Sequence, residues 1–457
     1  MKISHIQHLY HRVGFGISPK ESLLLSKKSK KTIVDDLCNQ SKKNSPILLD
    51  VSFLDDFTPE TLKNPENKML LNKLSREKVN SFSVAWFERL QHPTEILREK
   101  MTLFWANHFV CENNNIVFVQ QYNNILRENA LGNFRDFVKK ISKTAAMLNY
   151  LNNKQNKKGS PNENFARELM ELFTLGQNQY SENDIKEGAR AFTGYNHNEK
   201  GEFDFKINQH DENEKTFFGK TGNFNGDDII DVILEKKECA RFISEKIYTY
   251  FVNEKINKSH IDKMVDVFYK DYNIEKLVHF VFVSKWFYED ENIGIKIKSP
   301  LELLIGIHTI VPYQMEKSQQ IILLQNLLGQ VLMRPPNVAG WKTGKYWIDS
   351  NTIITRLRLP AVLLNNAQIT FSEKGNEEST TNELKNNKLE KKTYLKVFAD
   401  WTSFEENFKN TSPEEMISQI ISSKINAGTL ANLLKNLHHS KKDFSIQLMS
   451  LPEYQLC

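Results

Sequence analysis

The stretch SPNENFARELMELFTLG, from Ser160 to Gly176, sets Glu163, Arg167, Glu168 and Glu171 among apolar residues. On a helix, Asn164, Glu168 and Glu171 stand at i, i+4 and i+7 and share a face, and Glu163 and Arg167 pair at i, i+4. Phe165, Leu169, Leu172 and Phe173 fill the apolar side. Two carboxylates one turn apart are what general acid–base chemistry requires. Ser160-Pro-Asn-Glu163 has the form of a capping box, which accounts for Glu163. Arg167 suits either a helix-face ion pair or a clamp on an anionic substrate. Glu168 lies beside the apolar stripe, where an unpartnered charge is costly. It either joins a buried network with Arg167 or Arg190, or serves as catalytic acid or base with Glu171 nearby.

A second group of candidates is His210-Asp211, followed by Lys215. Loops on a rigid scaffold commonly carry function, and a neutral His there can act as base, proton shuttle or metal ligand. The bland reading is an Asx-type turn closed by Asp211. Lys215 would offset an anionic ligand group. The stretch RPPNVAGWKTGKYW brings Trp341, Tyr346 and Trp347 together behind Pro335-Pro336. It could stack on sugar rings with Asn337 as polar handle, or plug the loop into the core. Arg356 could bind an anion or pair with the acidic helix. His108 is the candidate metal ligand: a divalent metal is allowed by the residue types, although no HExxH-like spacing exists, and His8 and His11 lack a third ligand nearby. Gly219-Lys-Thr-Gly222 is not a P-loop, because the fingerprint needs glycine where Glu214 stands, so no nucleotide is expected.

These residues must be held by helices. Ser18-Pro-Lys-Glu21, Ser299-Pro-Leu-Glu302 and Ser412-Pro-Glu-Glu415 repeat the formula seen at Ser160: serine caps, proline takes the first helical position, and glutamate reaches back. Amphipathic runs such as REKMTLFWANHFV and CARFISEKIYTYFV predict a mainly α protein. The alternation Phe203-Asp-Phe-Lys-Ile207, a polar turn and Lys215-Thr-Phe-Phe218 predict a small β-hairpin insertion near 203–218. The expected organisation is a helical domain over 1–365, a polar linker over 366–393 and a small helical segment over 394–457.

The chain has 457 residues, and its 29 Phe imply a well-filled core. A net charge of +5 spread over this length, with no basic stripe interleaved with aromatics, sets nucleic acid aside. Four cysteines stand far apart without a CxxC pair, which fits a reduced compartment. No apolar stretch is long enough to span a bilayer, and no signal-peptide pattern opens the chain. The expectation is a cytoplasmic protein, with export alongside a partner left open.

Four ordered motifs resemble a bacterial family known as domain of unknown function 1800. They are HLYHRVGFG; NENFARELMELFTLG with Tyr180 and EGARAFTGY; His210-Asp211 with Lys215 and Gly219; and GQVLMRPPNVAGWKTGKYW ahead of Arg356. The resemblance spans about residues 5–360. Asn152, Phe173 and Tyr195 stand where the family commonly has Asp, His and Trp, and an activity resting on those groups would be impaired. The family's genes often sit beside those of a sulfatase-like family, which implies a shared pathway or complex.

The function these readings point to is an enzyme of hydrolysis or group transfer on an anionic or glycan-like substrate. Its pocket would gather the acidic helix, the His210-Asp211 turn and the PPNVAGW loop. The alternative is a non-catalytic helical partner or scaffold for the sulfatase-like protein.

Overall fold

The computed structural model describes residues 1–365, 395–435 and 440–457. Among these the chain is mainly helical, with three two-stranded antiparallel sheets as its only named β structure. The predicted linker over 366–393 lies outside the described residues. No helix among the described residues is long and apolar enough to cross a membrane.

Helix Ile96–His108 is the axis of the molecule. Leu97, Met101, Phe104 and Trp105 face one apolar core, built with helices Lys30–Gln40, Phe134–Ser142, Lys237–Phe251 and Ile274–Val283. Leu103 faces a second core, built with helices Pro65–Gln91, Pro300–Ile310 and Ser350–Leu364. A helix between two cores is covered all round, and Arg98, Glu99 and Lys100 in its first turns are buried with it. Each must therefore find partners inside the protein. Arg98 donates to the carbonyls of Arg127 and Glu128 at the end of helix Ile116–Asn129, at 2.6 and 2.9 Å. Glu99 accepts from Arg127 Nε at 2.7 Å and from the Trp86 indole at 3.2 Å. Lys100 bonds Glu302 at 2.7 Å, across from one core to the other.

The serine caps form at Ser18, Ser299 and Ser412, each with its glutamate reaching back. Ser160 does not cap. The Asn156 side chain accepts from the Asn162 N–H at 2.9 Å and the Asn162 side chain from the Asn164 N–H at 3.0 Å, so the helix begins at Asn164. Glu163, freed from capping, pairs with Arg167 at 3.2 Å. After Glu168 the helix widens into a π-turn over Leu169–Thr174.

The β insertion also differs in its pairing. Tyr195–His197 pairs with Phe203–Phe205, and Lys215–Phe217 pairs with Lys220–Gly222, so the segments expected to pair with each other belong to two separate hairpins. The alternation marked the strands correctly but carries no information about partners. Beyond residue 394, Val397–Ala399 pairs with Tyr313–Met315, and Phe404, Met416, Phe444 and Leu448 enter the second core. Cys457 exchanges backbone hydrogen bonds with Lys296, at 2.8 and 3.1 Å.

Arg127→Met tests the buried pair at the axis. Stranding Glu99 without its main partner should cost about 3–5 kcal/mol of unfolding free energy. A urea titration showing a loss under about 1 kcal/mol would mean that Glu99 is adequately held by Trp86 and Arg89 alone.

Candidate functional site

Helix Ile96–His108 ends in Asn107 and His108, and both face a pocket of about 400 Å³. Asn107 holds the opposite wall. Its side-chain oxygen accepts from the Trp341 N–H at 2.7 Å, and its amide donates to the Trp341 carbonyl at 3.1 Å. This two-point grip requires Gly340, at φ +76°: a Cβ there would lie 2.3 Å from the Asn107 oxygen. Trp341 and Trp347 are both mostly buried, yet each lines the pocket. They anchor the loop and form the wall at once.

Helix Lys237–Phe251 supplies the third side. Phe242, Glu245, Lys246, Thr249 and Tyr250 recur at helical spacing on one face and all line the pocket. Glu254, Lys296, Ser299, Glu302, Gln330, Lys342 and Thr343 complete the polar lining. Lys246 is exposed at the mouth, has no ion pair among the described residues, and has its pKa lowered by the surrounding walls. Glu302 accepts from Lys296 at 2.7 Å as well as from Lys100. Burial alone would raise its pKa, but the two ammonium groups outweigh that and hold it well below the usual carboxylate range.

His108 is the most constrained polar group. Its Nε2 lies 3.0 Å from the Phe173 carbonyl. A carbonyl only accepts, so Nε2 carries the proton and Nδ1 keeps its lone pair. Nδ1 has no hydrogen bond among the described residues. Burial first, and Lys246 second, push the imidazole pKa down to about 3. The ring is thus a neutral acceptor on the pocket wall, suited to a hydroxyl donor.

A family model described as "Protein of unknown function (DUF1800)" matches residues 8–456. The chain belongs to this family. Comparisons with curated proteins and with solved structures find no match.

Not every residue singled out in this DUF1800 chain reaches the pocket. Trp341 and His108 line it, and the acidic helix contributes Leu172, but Glu168, Glu171, His210 and Asp211 are not among its walls. Asp211 pairs with Arg190 at 2.7 Å and closes an Asx turn onto the Asn213 N–H at 3.0 Å. The His210 ring bonds the Thr193 carbonyl at 2.9 Å, and Lys215, buried, donates to the carbonyls of Asp211 and Asn213. Asp211 fastens the hairpin region to helix Glu182–Ala191 and His210 fastens it to Thr193 just beyond, while Lys215 braces its own turn. Arg167 grips Glu182 with both terminal nitrogens at 3.1 Å. Asn164 is exposed at the helix start. Asn337 spends its side chain on the Ala339 N–H at 2.9 Å, within its own loop. Arg356 is fully buried, bonded to Gln455 and to the Lys298 carbonyl. Among the described residues no three potential metal ligands of the His, Cys, Asp and Glu types gather.

Glu168 and Glu171 diverge in environment. Glu171 accepts from the Tyr180 hydroxyl at 2.6 Å and from Gln177 at 3.0 Å, which lower its pKa. Glu168, half-buried, has no hydrogen bond among the described residues, and burial followed by Glu171 raises its pKa. The network with Arg190 does not form, since Arg190 serves Asp211 and Glu187.

The pocket face of helix Lys237–Phe251 escaped the sequence reading. Its signal was there, two charged and two aromatic residues at helical spacing, but such a face reads equally well as solvent-facing. A larger open groove of about 680 Å³ lies between helix Pro65–Gln91 and strand Tyr313–Met315, lined by no Lys or Arg.

Two measurements follow from these environments. Glu168→Gln should leave the unfolding free energy at neutral pH unchanged or raise it by up to about 1 kcal/mol, since no bond is lost and a like-charge contact is relieved. A loss beyond about 2 kcal/mol would reveal a charge-assisted partner. His108 stays neutral in the fold down to about pH 3, while the unfolded chain protonates it near 6.5. Its contribution is complete above pH 6.5 and drains away as pH falls towards 3, at up to about 1.4 kcal/mol per unit. Parallel urea titrations of the parent and His108→Gln should show a shallower acid loss in the variant; identical slopes would refute the assignment.

Proposed function

We propose that this chain is an enzyme that hydrolyses, or transfers a group from, an anionic, hydroxyl-bearing and hence glycan-like substrate held in the Trp341 pocket. The observation that carries the reading is the pairing, on one pocket, of an unpaired cation at the mouth, Lys246, with a neutral hydrogen-bond acceptor on the wall, His108. A carboxylate or phosphate on the substrate would meet Lys246. A hydroxyl would donate to His108 Nδ1. Trp341, Trp347, Phe242 and Tyr250 supply the apolar lining that ligand pockets combine with a few polar groups.

The chemistry is given to Glu245 and Glu254, the two pocket carboxylates with no hydrogen bond among the described residues. One would protonate the leaving group while the other activates water or attacks, the division of labour that paired carboxylates perform in group transfer to water. Glu302 is excluded from that role by its two lysine partners, and Glu168 by its place outside the pocket walls.

The test is a thermal-shift comparison of glucuronate, galacturonate and glucose 6-phosphate against glucose. The acidic compounds should raise the unfolding midpoint and glucose should not, and Lys246→Ala should abolish the difference. Glu254→Gln should bind the same compounds while turnover of the corresponding glycosides or esters falls by about 10²–10⁴-fold. No preference for the acidic compounds ends the proposal. Binding without turnover in the parent replaces the enzyme with a binding protein, the reading in which a sulfatase-like partner does the chemistry.

A further inference from the structure

Behind the pocket, on the far side of the Tyr250 ring, the N-terminal helix meets the segment 296–298 and the end of the chain. Lys100 and Lys296 flank that ring, 5.7 and 4.6 Å from its centre. Beyond them lie Arg12, Lys298 and Arg356, with relative exposures of 0%, 2% and 0%. Buried charge is tolerated when it is paired. Glu302 satisfies Lys100 and Lys296. The other three cations form no ion pair among the described residues. Cys457 lends Arg12 and Lys298 favourable potential, ahead of Glu302, but forms no ion pair with either among the described residues.

The orphaned atoms are all of one kind. Arg12 gives one nitrogen to the Asn292 carbonyl, at 3.1 Å, and leaves Nε and one terminal nitrogen without an acceptor. Arg356 bonds Gln455 at 3.0 Å and the Lys298 carbonyl at 2.6 Å and leaves its other terminal nitrogen free. The Gln455 amide nitrogen and the Tyr454 hydroxyl, both fully buried or nearly so, are also unpartnered. Lys298 Nζ has no acceptor among the described residues and stands 3.5 Å over the Tyr454 ring. These groups are neighbours. Arg356 holds the Lys298 carbonyl and the Gln455 side chain, and the Lys298 N–H bonds the Gln455 carbonyl at 2.8 Å. Arg12, like Lys298, feels the charge of Cys457 and Glu302. His11, beside Arg12, is kept neutral by burial and by Lys298, so it adds no further positive charge.

We infer that this cluster is the binding site of a small tetrahedral oxyanion, phosphate or sulfate, held by Lys298, Arg356, Tyr454 and Gln455. Such an anion would bring negative charge to buried cations that have no ion pair among the described residues, and acceptor oxygens to donors left without one there. Planar guanidinium groups are the side chains best matched to a tetrahedral oxyanion. Water would satisfy the hydrogen bonds but leave the charge uncompensated. The site stands apart from the Trp341 pocket and does not depend on the reading given to it.

The experiment uses the full chain, dialysed free of phosphate and sulfate, with the unfolding midpoint followed at constant ionic strength. Phosphate or sulfate should raise the midpoint saturably, while chloride should not. Lys298→Met keeps the stem packed on Tyr454 and removes one charge, so it should weaken anion affinity by about tenfold or more. In anion-free buffer it should be as stable as the parent or more so, because like-charge crowding is relieved. Lys246→Ala, which removes a cation of the outer pocket, should keep a saturable response to the anions that Lys298→Met weakens, which separates this site from the substrate pocket. If Lys298→Met fails to fold, Arg356→Lys, which retains charge but loses the planar fork, takes its place and should also weaken binding. A midpoint indifferent to both anions, or one that shifts equally in parent and variant, overturns the site. A response to phosphate alone or to sulfate alone identifies the resident anion and sustains it.

Discussion

The contact on which the rest depends is Lys100 to Glu302, 2.7 Å, between the central helix and the second core. Neither charge has water to fall back on, and each is held by more than the other. Lys100 also donates to the Gly14 carbonyl, which ties the N-terminal helix to the axis. Glu302 also takes Lys296 and the Ser299 N–H, which closes its own helix cap. A buried pair of this kind adds less net stability than an apolar pair of the same volume, but it punishes misplacement severely. Its value is positional. It fixes the register of helix Ile96–His108 against helix Pro300–Ile310, and so sets where Asn107 and His108 emerge at the other end of the axis.

From that fixed end the pocket follows with few degrees of freedom. Asn107 specifies the path of the Trp341 loop through two backbone bonds, and Gly340 is the residue that lets the loop come close enough. The imidazole of His108 is locked by the Phe173 carbonyl, at the place where the π-turn after Glu168 exposes backbone that a regular helix would have used differently. Wider helical turns of this sort recur at functional sites, and the Phe173 carbonyl is free for His108 because it lies in the last turn of the helix. Here the irregular backbone of the family's central signature acts on the pocket through a main-chain oxygen, while its carboxylates face elsewhere.

What was legible in the sequence was local. Serine caps at 18, 299 and 412 are written within four residues and fold as written. Ser160 failed because Asn156 and Asn162, equally local, offer competing side-chain acceptors to the same backbone N–H groups. Strand character at 203–205 and 215–217 was legible; pairing was not, since period-two alternation says which face is buried and nothing about the neighbour. His210, Asp211 and Lys215 have the residue types of a catalytic cluster, and only their partners, Thr193, Arg190 and the turn carbonyls, reveal a fastening. Arg356 was legible as an anion binder from its residue type, but Arg12 and Lys298 were not, because each looks like an ordinary surface cation until the fold buries it.

A surplus of buried cations therefore says more about this protein than its conspicuous carboxylates do. All the carboxylates of the acidic helix at 163–171 but Glu168 are explained by neighbours already present: Arg167 takes Glu163 and Glu182, and Tyr180 takes Glu171. Arg12, Lys298 and Arg356 have no such ion pair among the described residues, and Glu302 near them is already committed to two lysines. Burial, only partly opposed by Cys457 and Glu302, brings the ammonium of Lys298 down to about 8, and burial opposed by Glu302 brings the guanidinium of Arg356 to about 10. Groups still charged near neutrality after such a shift carry a standing electrostatic cost, and a fold that retains them is compensated by opposite charge. Glu302 divides the two regions. On one side it neutralises the lysines beside Tyr250, which leaves Lys246 and Lys342 as the pocket cations without an ion pair among the described residues. On the other side its charge is already committed, and the proposed anion would offset what remains on Lys298 and Arg356.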